Sequence, residues 1–197
     1  MDVSQRETKR ALRAELIARR ARLGADEREA KSRAVAERVE EVAAFREAKL
    51  VALYAGLGTE VDPAEIARRA VARGARVAFP RVVAHGDRRL AFAVCALADL
   101  VRGPLGAAQP PESAPAVDPR ELGCVVMPGV AFSEDGLRLG RGGGYYDATL
   151  RDLPGVARVG LAFDVQIVPT LPREPHDAPM DAVVTESRVL SFRRESR

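Results

Sequence analysis

The sequence predicts an α/β fold: one three-layer α/β/α domain spanning residues 1–197, with a mainly parallel sheet and two helices ahead of it. Three observations carry this. Residues Glu7 to Phe45 are helix-forming with a single interruption. A β-α-β pattern fills Lys49 to Pro80, and so short a crossover requires parallel strands. Beyond it, apolar strand-like runs keep alternating with helix or loop, as in a sheet covered on both faces.

Taken in order, the first two elements are amphipathic helices separated at "LGADERE", where Gly24 ends one and Asp26 caps the next. "KLVALYAGL" reads as a short buried strand. In "DPAEIARRAVARG", Asp62 is the cap, Pro63 the first helical residue and Gly74 the stop. "ARVAFPRV" is the second strand. "RRLAFAVCA" is the third, set up as a hairpin by a turn at His85-Gly86-Asp87. Residues 102–119, rich in Pro, Gly and Ala, read as loop. "LGCVVMPGVAF" is the most apolar strand and ends at Pro128-Gly129. A glycine-rich stretch follows and leads into a helix around Tyr146 to Arg151. "VARVGLAFD" and a pair of short strands about Thr185-Glu186-Ser187 complete the chain.

Composition excludes several classes. Hydrophobic residues make up 47% and charged residues 30%, a globular balance, over a length sufficient to bury a core without disulfide or metal staples. No run approaches the roughly eighteen uncharged apolar residues of a membrane span. The N-terminus lacks the apolar core of a secretory signal, and Asp2, Glu7 and Glu15 are foreign to transit peptides. A cytoplasmic protein is therefore the expectation, and it is taken to be a monomer. Cys95 and Cys124 have no companion at ligand spacing and read as core residues. A net charge of +3, dispersed along the chain, makes no case for nucleic acid. Nearly all the cations are arginine, with lysine only at Lys9, Lys31 and Lys49.

"RLGRGGGYYD" (Arg138 to Asp147) lies downstream of the most apolar strand, where open parallel sheets bind ligands. Glycines let backbone N–H groups converge on an anion, and Arg138 and Arg141 are suited to phosphate oxygens. The stretch lacks the Lys-Ser/Thr of a Walker loop, and Tyr145 replaces the third glycine of a dinucleotide fingerprint. On glycine content alone, a mobile loop or packed turn fits equally well.

"MPGVAFSEDGLRLGRGGGYYD" is similar to the signature of 5-formyltetrahydrofolate cyclo-ligases, also called methenyltetrahydrofolate synthetases. The similarity extends in order through "KRALR", "YAGLGTEVD" and "GLAFDVQIVPTLPREPHDAPMDAVVTE". The resemblance implies an ATP- and Mg²⁺-dependent conversion of 5-formyltetrahydrofolate to 5,10-methenyltetrahydrofolate; the alternatives are a paralogue with the same ATP cradle acting on another substrate, or a folate-binding module that does not turn it over. It assigns Lys9, Arg10 and Arg13, with Arg138, Leu139, Gly140, Arg141, Gly142, Gly143, Gly144, Tyr145 and Tyr146, to ATP. It assigns Ala55, Glu60 and the segment Arg141 to Tyr145 to the folate, with Arg141 and Tyr145 closest to the chemistry. Asp147 and Asp181 are its magnesium carboxylates, a donor type that suits this ion. Lys9 and Arg13, spaced i and i+4, share one helix face; read without the family they are an ordinary solvated pair. Gly143 departs from the pattern, since many relatives carry a lysine there, and phosphate neutralisation then rests on Arg138, Arg141 and Lys9. His176, alone in a Pro-rich loop, is left without a role.

Overall fold

The computed structural model describes residues 3–83, 88–104, 106–174 and 177–192, with side chains from Glu7 onward. The turn expected at His85-Gly86-Asp87 and the residue His176 fall outside the described residues.

The chain opens with helices α1 (Val3–Ala21), α2 (Ala25–Arg38) and the short α3 (Ala43–Arg46). Strand β1 (Leu50–Ala52), helix α4 (Ala64–Ala72) and strand β2 (Arg76–Val82) form the β-α-β unit, and β1 pairs in parallel with β2. Strands β3 (Leu90–Val94), β4 (Val101–Arg102), β5 (Ala108–Gln109) and β6 (Ala116–Val117) follow. Then come β7 (Cys124–Pro128), β8 (Ala131–Ser133), β9 (Arg138–Leu139), helix α5 (Tyr145–Leu150) and β10 (Ala157–Leu161). Strands β11 (Ile167–Val168), β12 (Ala182–Val184) and β13 (Val189–Ser191) end the described chain.

One eight-stranded sheet orders these as β13-β12-β10-β7-β1-β2-β3-β6. The run from β12 to β2 is parallel, while β13 and β3 pair antiparallel at either side. Side chains alternate across it, as strand geometry demands. Val51, Val77, Cys124, Val126 and Val159 pack with Val35, Val39, Phe45 and Ile66 beneath α2, α3 and α4. Leu50, Ala52, Val125, Met127 and Val183 face the other way, toward Phe132, Leu150 and Leu153. Each such large apolar side chain contributes about 1.5–3 kcal/mol on full burial. Gly160 on β10 leaves space for the Phe132 ring, since a Cβ there would lie 2.3 Å from it.

Several boundaries differ from expectation for physical reasons. Gly24 is the N-cap of α2 and not the end of α1, and Asp26 sits in the first turn, where its charge suits the helix dipole. Pro63 is the N-cap of α4; Asp62 still caps, its Oδ1 accepting the Ala64 N–H at 2.9 Å. The 102–119 region contains β5 and β6, and β6 extends the edge of the main sheet. A three-stranded sheet, β11-β8-β9, stands beyond the carboxyl end of β7, and α1 covers it through Leu16 against Val130, Ala131, Leu137 and Leu139.

The strand order places a topological switch point at β1 and β7. From β1 the chain moves to β2 on one side, and β7 later returns to the other side. Connections leaving their carboxyl ends diverge, opening a crevice where α/β sheets bind ligands.

Candidate active site

The loop after β1 supplies Glu60. Its side chain is 5% exposed, yet both oxygens are engaged: Oε2 accepts the Leu57 N–H at 3.0 Å, and Oε1 accepts from Arg141 Nε at 3.1 Å and Nη2 at 3.0 Å. Arg141 Nη2 also donates to the Leu57 carbonyl at 3.4 Å. Tyr54 ties the far end of this loop, donating to the Val61 carbonyl at 2.6 Å. Burial raises the Tyr54 hydroxyl pKa well above its ordinary value, and the Glu60 charge adds to that. Ala55 and Glu60 share a cleft of about 420 Å³, walled by Leu97, Leu100 and Ala108 of β5. That volume is in the range of small-molecule sites.

The loop beyond β9 supplies the glycines. Gly142 and Gly144 have φ of 101° and 71°, whereas Gly143 between them does not take a positive φ. Alternation of this kind turns successive N–H groups toward one side, the geometry of an anion-binding nest. α1 pins the loop, with Arg13 Nε donating to the Gly140 carbonyl at 2.9 Å and its guanidinium lying beside Gly142. Helix α5, entered through Gly144, is six residues long, so little of the expected helix-dipole assistance is available.

The other assigned side chains are committed elsewhere. Arg138, 5% exposed in its side chain, donates Nη2 to both oxygens of Asp147 at 3.2 and 3.1 Å and Nη1 to the Pro128 carbonyl at 3.4 Å. Its guanidinium stands 5.3 Å from the centre of the Tyr146 ring. Burial drives the Tyr146 hydroxyl pKa upward against the opposing pull of Arg138. Leu139 is buried against α1, which leaves only its backbone for a ligand. Tyr145 and Tyr146 are half-buried against the core. Lys9, 7% exposed, is held by Glu174 Oε2 at 2.6 Å and Asp177 Oδ2 at 3.2 Å, while Arg10 faces solvent. Neither Glu174 nor Asp177 is assigned a role from sequence.

The two carboxylates assigned to magnesium have different partners in the structure. Asp147 flanks the glycine loop but engages Arg138. Asp181 precedes β12, so it sits at the amino edge of the parallel strands, with Oδ2 accepting the Arg158 N–H at 2.7 Å. Glu60 follows β1 at the opposite, carboxyl edge. Among the described residues no group of three or more His, Cys, Asp or Glu could hold a metal. One or two carboxylates plus phosphate oxygens is nonetheless an ordinary magnesium environment, and Asp147, beside the glycine loop, fits it.

The structure thus brings together Arg13, Gly140 to Gly144, Arg141, Ala55 and Glu60. It also adds Arg20, which the sequence reading passed over. Arg20 lies 2% exposed under the Glu60 loop; its spacing from Arg13 and Leu16 on one helix face was the available signal.

Comparison with known proteins agrees with this architecture. The model of the 5-formyltetrahydrofolate cyclo-ligase family matches residues 5–186. The 5-formyltetrahydrofolate cyclo-ligase of Mus musculus is 30% identical, over 96% of this chain and 98% of that protein. The protein of the same name in Escherichia coli K12 is 47% identical over 73 residues, a match that spans 40% of its length. Among solved structures, the Aquifex aeolicus 5,10-methenyltetrahydrofolate synthetase superimposes with a TM-score of 0.81 at 30% identity, covering 96% of this chain and 95% of that one. A family match over nearly the whole sequence, joined to a shared fold, establishes that the chain belongs to the 5-formyltetrahydrofolate cyclo-ligase family.

Proposed function

We propose that this chain closes 5-formyltetrahydrofolate to 5,10-methenyltetrahydrofolate at the expense of ATP, releasing ADP and phosphate. The observation that carries the reading is the crevice at the switch point. A carboxylate loop and a glycine loop leave neighbouring strands there, and Arg141 joins them. A reaction with two substrates needs two adjacent subsites of different chemistry.

Glu60 suits the pterin. It already accepts a backbone N–H and a planar array of guanidinium N–H groups, and an amino-pyrimidine edge offers donors of the same kind. The cleft shared with Ala55 gives the ring its space. On the other side, the N–H groups of Gly142 to Gly144 face the ATP phosphates, and Arg141 turns to them when the pterin replaces it on Glu60. Arg13 holds the loop in shape. Lys9 reaches phosphate only by leaving Glu174 and Asp177.

A formamide oxygen is a poor leaving group. Transfer of the γ-phosphoryl to it releases ADP and leaves an iminium phosphate; N10 then attacks the formyl carbon, loses its proton, and phosphate departs as the ring closes. The side chains contribute chiefly position and charge screening, as is general for phosphoryl transfer. Arg141 and Tyr145 stand nearest the transferred group in this reading. Magnesium, held by Asp147 and phosphate oxygens, would supply further charge neutralisation. We take the protein to act as a cytoplasmic monomer; no helix among the described residues is long and apolar enough to cross a membrane.

The test is ADP release from MgATP by purified protein with and without 5-formyltetrahydrofolate. Release that depends on the folate supports the reading. Release indifferent to it, or none from folded protein that binds ATP, points to another substrate.

A further inference from the structure

We infer that Arg20 is a positioning residue for Glu60, holding the pterin-binding carboxylate in register with the strand that leads to the ATP loop. The inference rests on the folate reading of Glu60 given above.

The inward stripe of α1 runs Lys9, Arg13, Leu16, Arg20, the spacing of one helix face. A cation at 2% exposure on such a stripe is costly unless its hydrogen bonds are made. Arg20 Nε donates to Thr59 Oγ1 at 3.0 Å, and Nη1 donates to the Gly129 carbonyl at 3.1 Å. Thr59 adjoins Glu60 in the loop after β1; Gly129 is the first residue after β7. One guanidinium therefore bridges the two connections that bound the crevice. The Gly129 end is itself fixed, because Gln166 Nε2 donates to the same carbonyl at 2.8 Å and to Val130 O at 3.1 Å. Arg20 thus ties the Glu60 loop to an anchored segment.

Electrostatics supports the same role. Burial lowers the Arg20 pKa, Glu60 raises it, and Arg141 lowers it, so the carboxylate lies within the field of two cations. Arg141, half exposed, is free to swing away; Arg20 is not. When Arg141 leaves for phosphate, the fixed charge of Arg20 remains near the Glu60 carboxylate. An apolar side chain of similar length would fill the seam beneath α1 without tying Thr59 to Gly129 or supplying that charge.

The test compares Arg20→Met, Arg20→Lys and Thr59→Val with the wild type. It reads KM for 5-formyltetrahydrofolate, KM for ATP, and backbone amide exchange in the 57–60 loop. Arg20→Met is expected to raise the folate KM roughly tenfold or more while the ATP KM stays within about twofold. Arg20→Lys, which keeps the charge and loses the fork, recovers part of that loss. Thr59→Val shifts the folate KM in the same direction by less, and decides the matter by the same criterion if Arg20→Met does not fold. Amide exchange should accelerate at Leu57 and Glu60 and not elsewhere. An unchanged folate KM, or folate and ATP KM rising together with exchange accelerated throughout the chain, overturns the inference. If the wild type forms no methenyl product, the folate reading fails on its own; local acceleration then still supports the loop-holding role, and unchanged or global exchange rejects it.

Discussion

Glu60 and Arg141, 81 residues apart in sequence, meet at 3.0 Å across the crevice, with one oxygen of the carboxylate accepting two guanidinium N–H groups. In the proposed reading each serves a different subsite, and each satisfies the other in the free protein. Occupation of either subsite is expected to separate them.

The two substrates are therefore expected to bind with positive coupling. ATP phosphates that draw Arg141 away expose Glu60 to the pterin, and linkage requires the converse to the same degree. With a magnesium complex of a non-hydrolysable ATP analogue, the Kd for 5-formyltetrahydrofolate should fall by about 5- to 100-fold. Titration calorimetry with and without the analogue measures it; independent binding would show that the pair does not gate the site.

Lys9 is expected to matter first for stability. Lys9→Met removes the ammonium shared by Glu174 and Asp177, at 14% and 15% side-chain exposure. Removing one partner of so enclosed a cluster costs about 3 kcal/mol, which is a fall in Tm of roughly 6–12 °C at this chain length. Thermal unfolding checks it, and an unchanged Tm would mean that the cluster is not formed in solution.

Asp147 and Asp181 should separate in a magnesium titration. Asp147→Asn weakens both the Arg138 pair and the expected ion contact, so half-activation moves to higher magnesium. Asp181→Asn loses a charge-assisted bond to the Arg158 N–H and lowers stability by about 1–3 kcal/mol, with the half-activation concentration unchanged. A shift with Asp181→Asn equal to that of Asp147→Asn would show that both carboxylates reach one ion.

Alkaline pH is expected to destabilise the fold through Cys124, Tyr54 and Tyr146. Burial raises each of their pKa values, so the folded state keeps protons that the unfolded chain has released. Their stabilising contribution is complete below the unfolded pKa and declines as pH rises beyond it. From about pH 9, each group titrating only in the unfolded state removes up to about 1.4 kcal/mol per pH unit. Urea unfolding at successive pH values checks this, and Cys124→Ala should flatten the decline between about pH 9 and 10. An identical slope in that variant would remove Cys124 from the account.

How much of this was legible in the sequence depends on the residue. β7 and β10 announced themselves because Cys124 to Met127 and Val159 to Leu161 are continuous apolar runs, and Gly74, with φ of 86°, marked the end of α4. β9 and β11, two residues each, carry no periodicity that could reveal them. Arg141 and Glu60 were both chosen from sequence, but their contact depends on strand order and leaves no trace in spacing. Lys9 and Asp181 show the converse. Residue type suited both to ATP and metal, while the partners that now hold them, Glu174, Asp177 and the Arg158 backbone, come from distant segments.

The most direct test of the central claim is the ultraviolet absorbance of the conjugated methenyl product when purified protein is mixed with 5-formyltetrahydrofolate and MgATP. The account predicts a rise that requires ATP and metal together and that, at subsaturating folate, is slowed at least tenfold by Glu60→Gln. A flat trace from folded, ATP-binding wild-type protein, or a rise unaltered by Glu60→Gln, would contradict it.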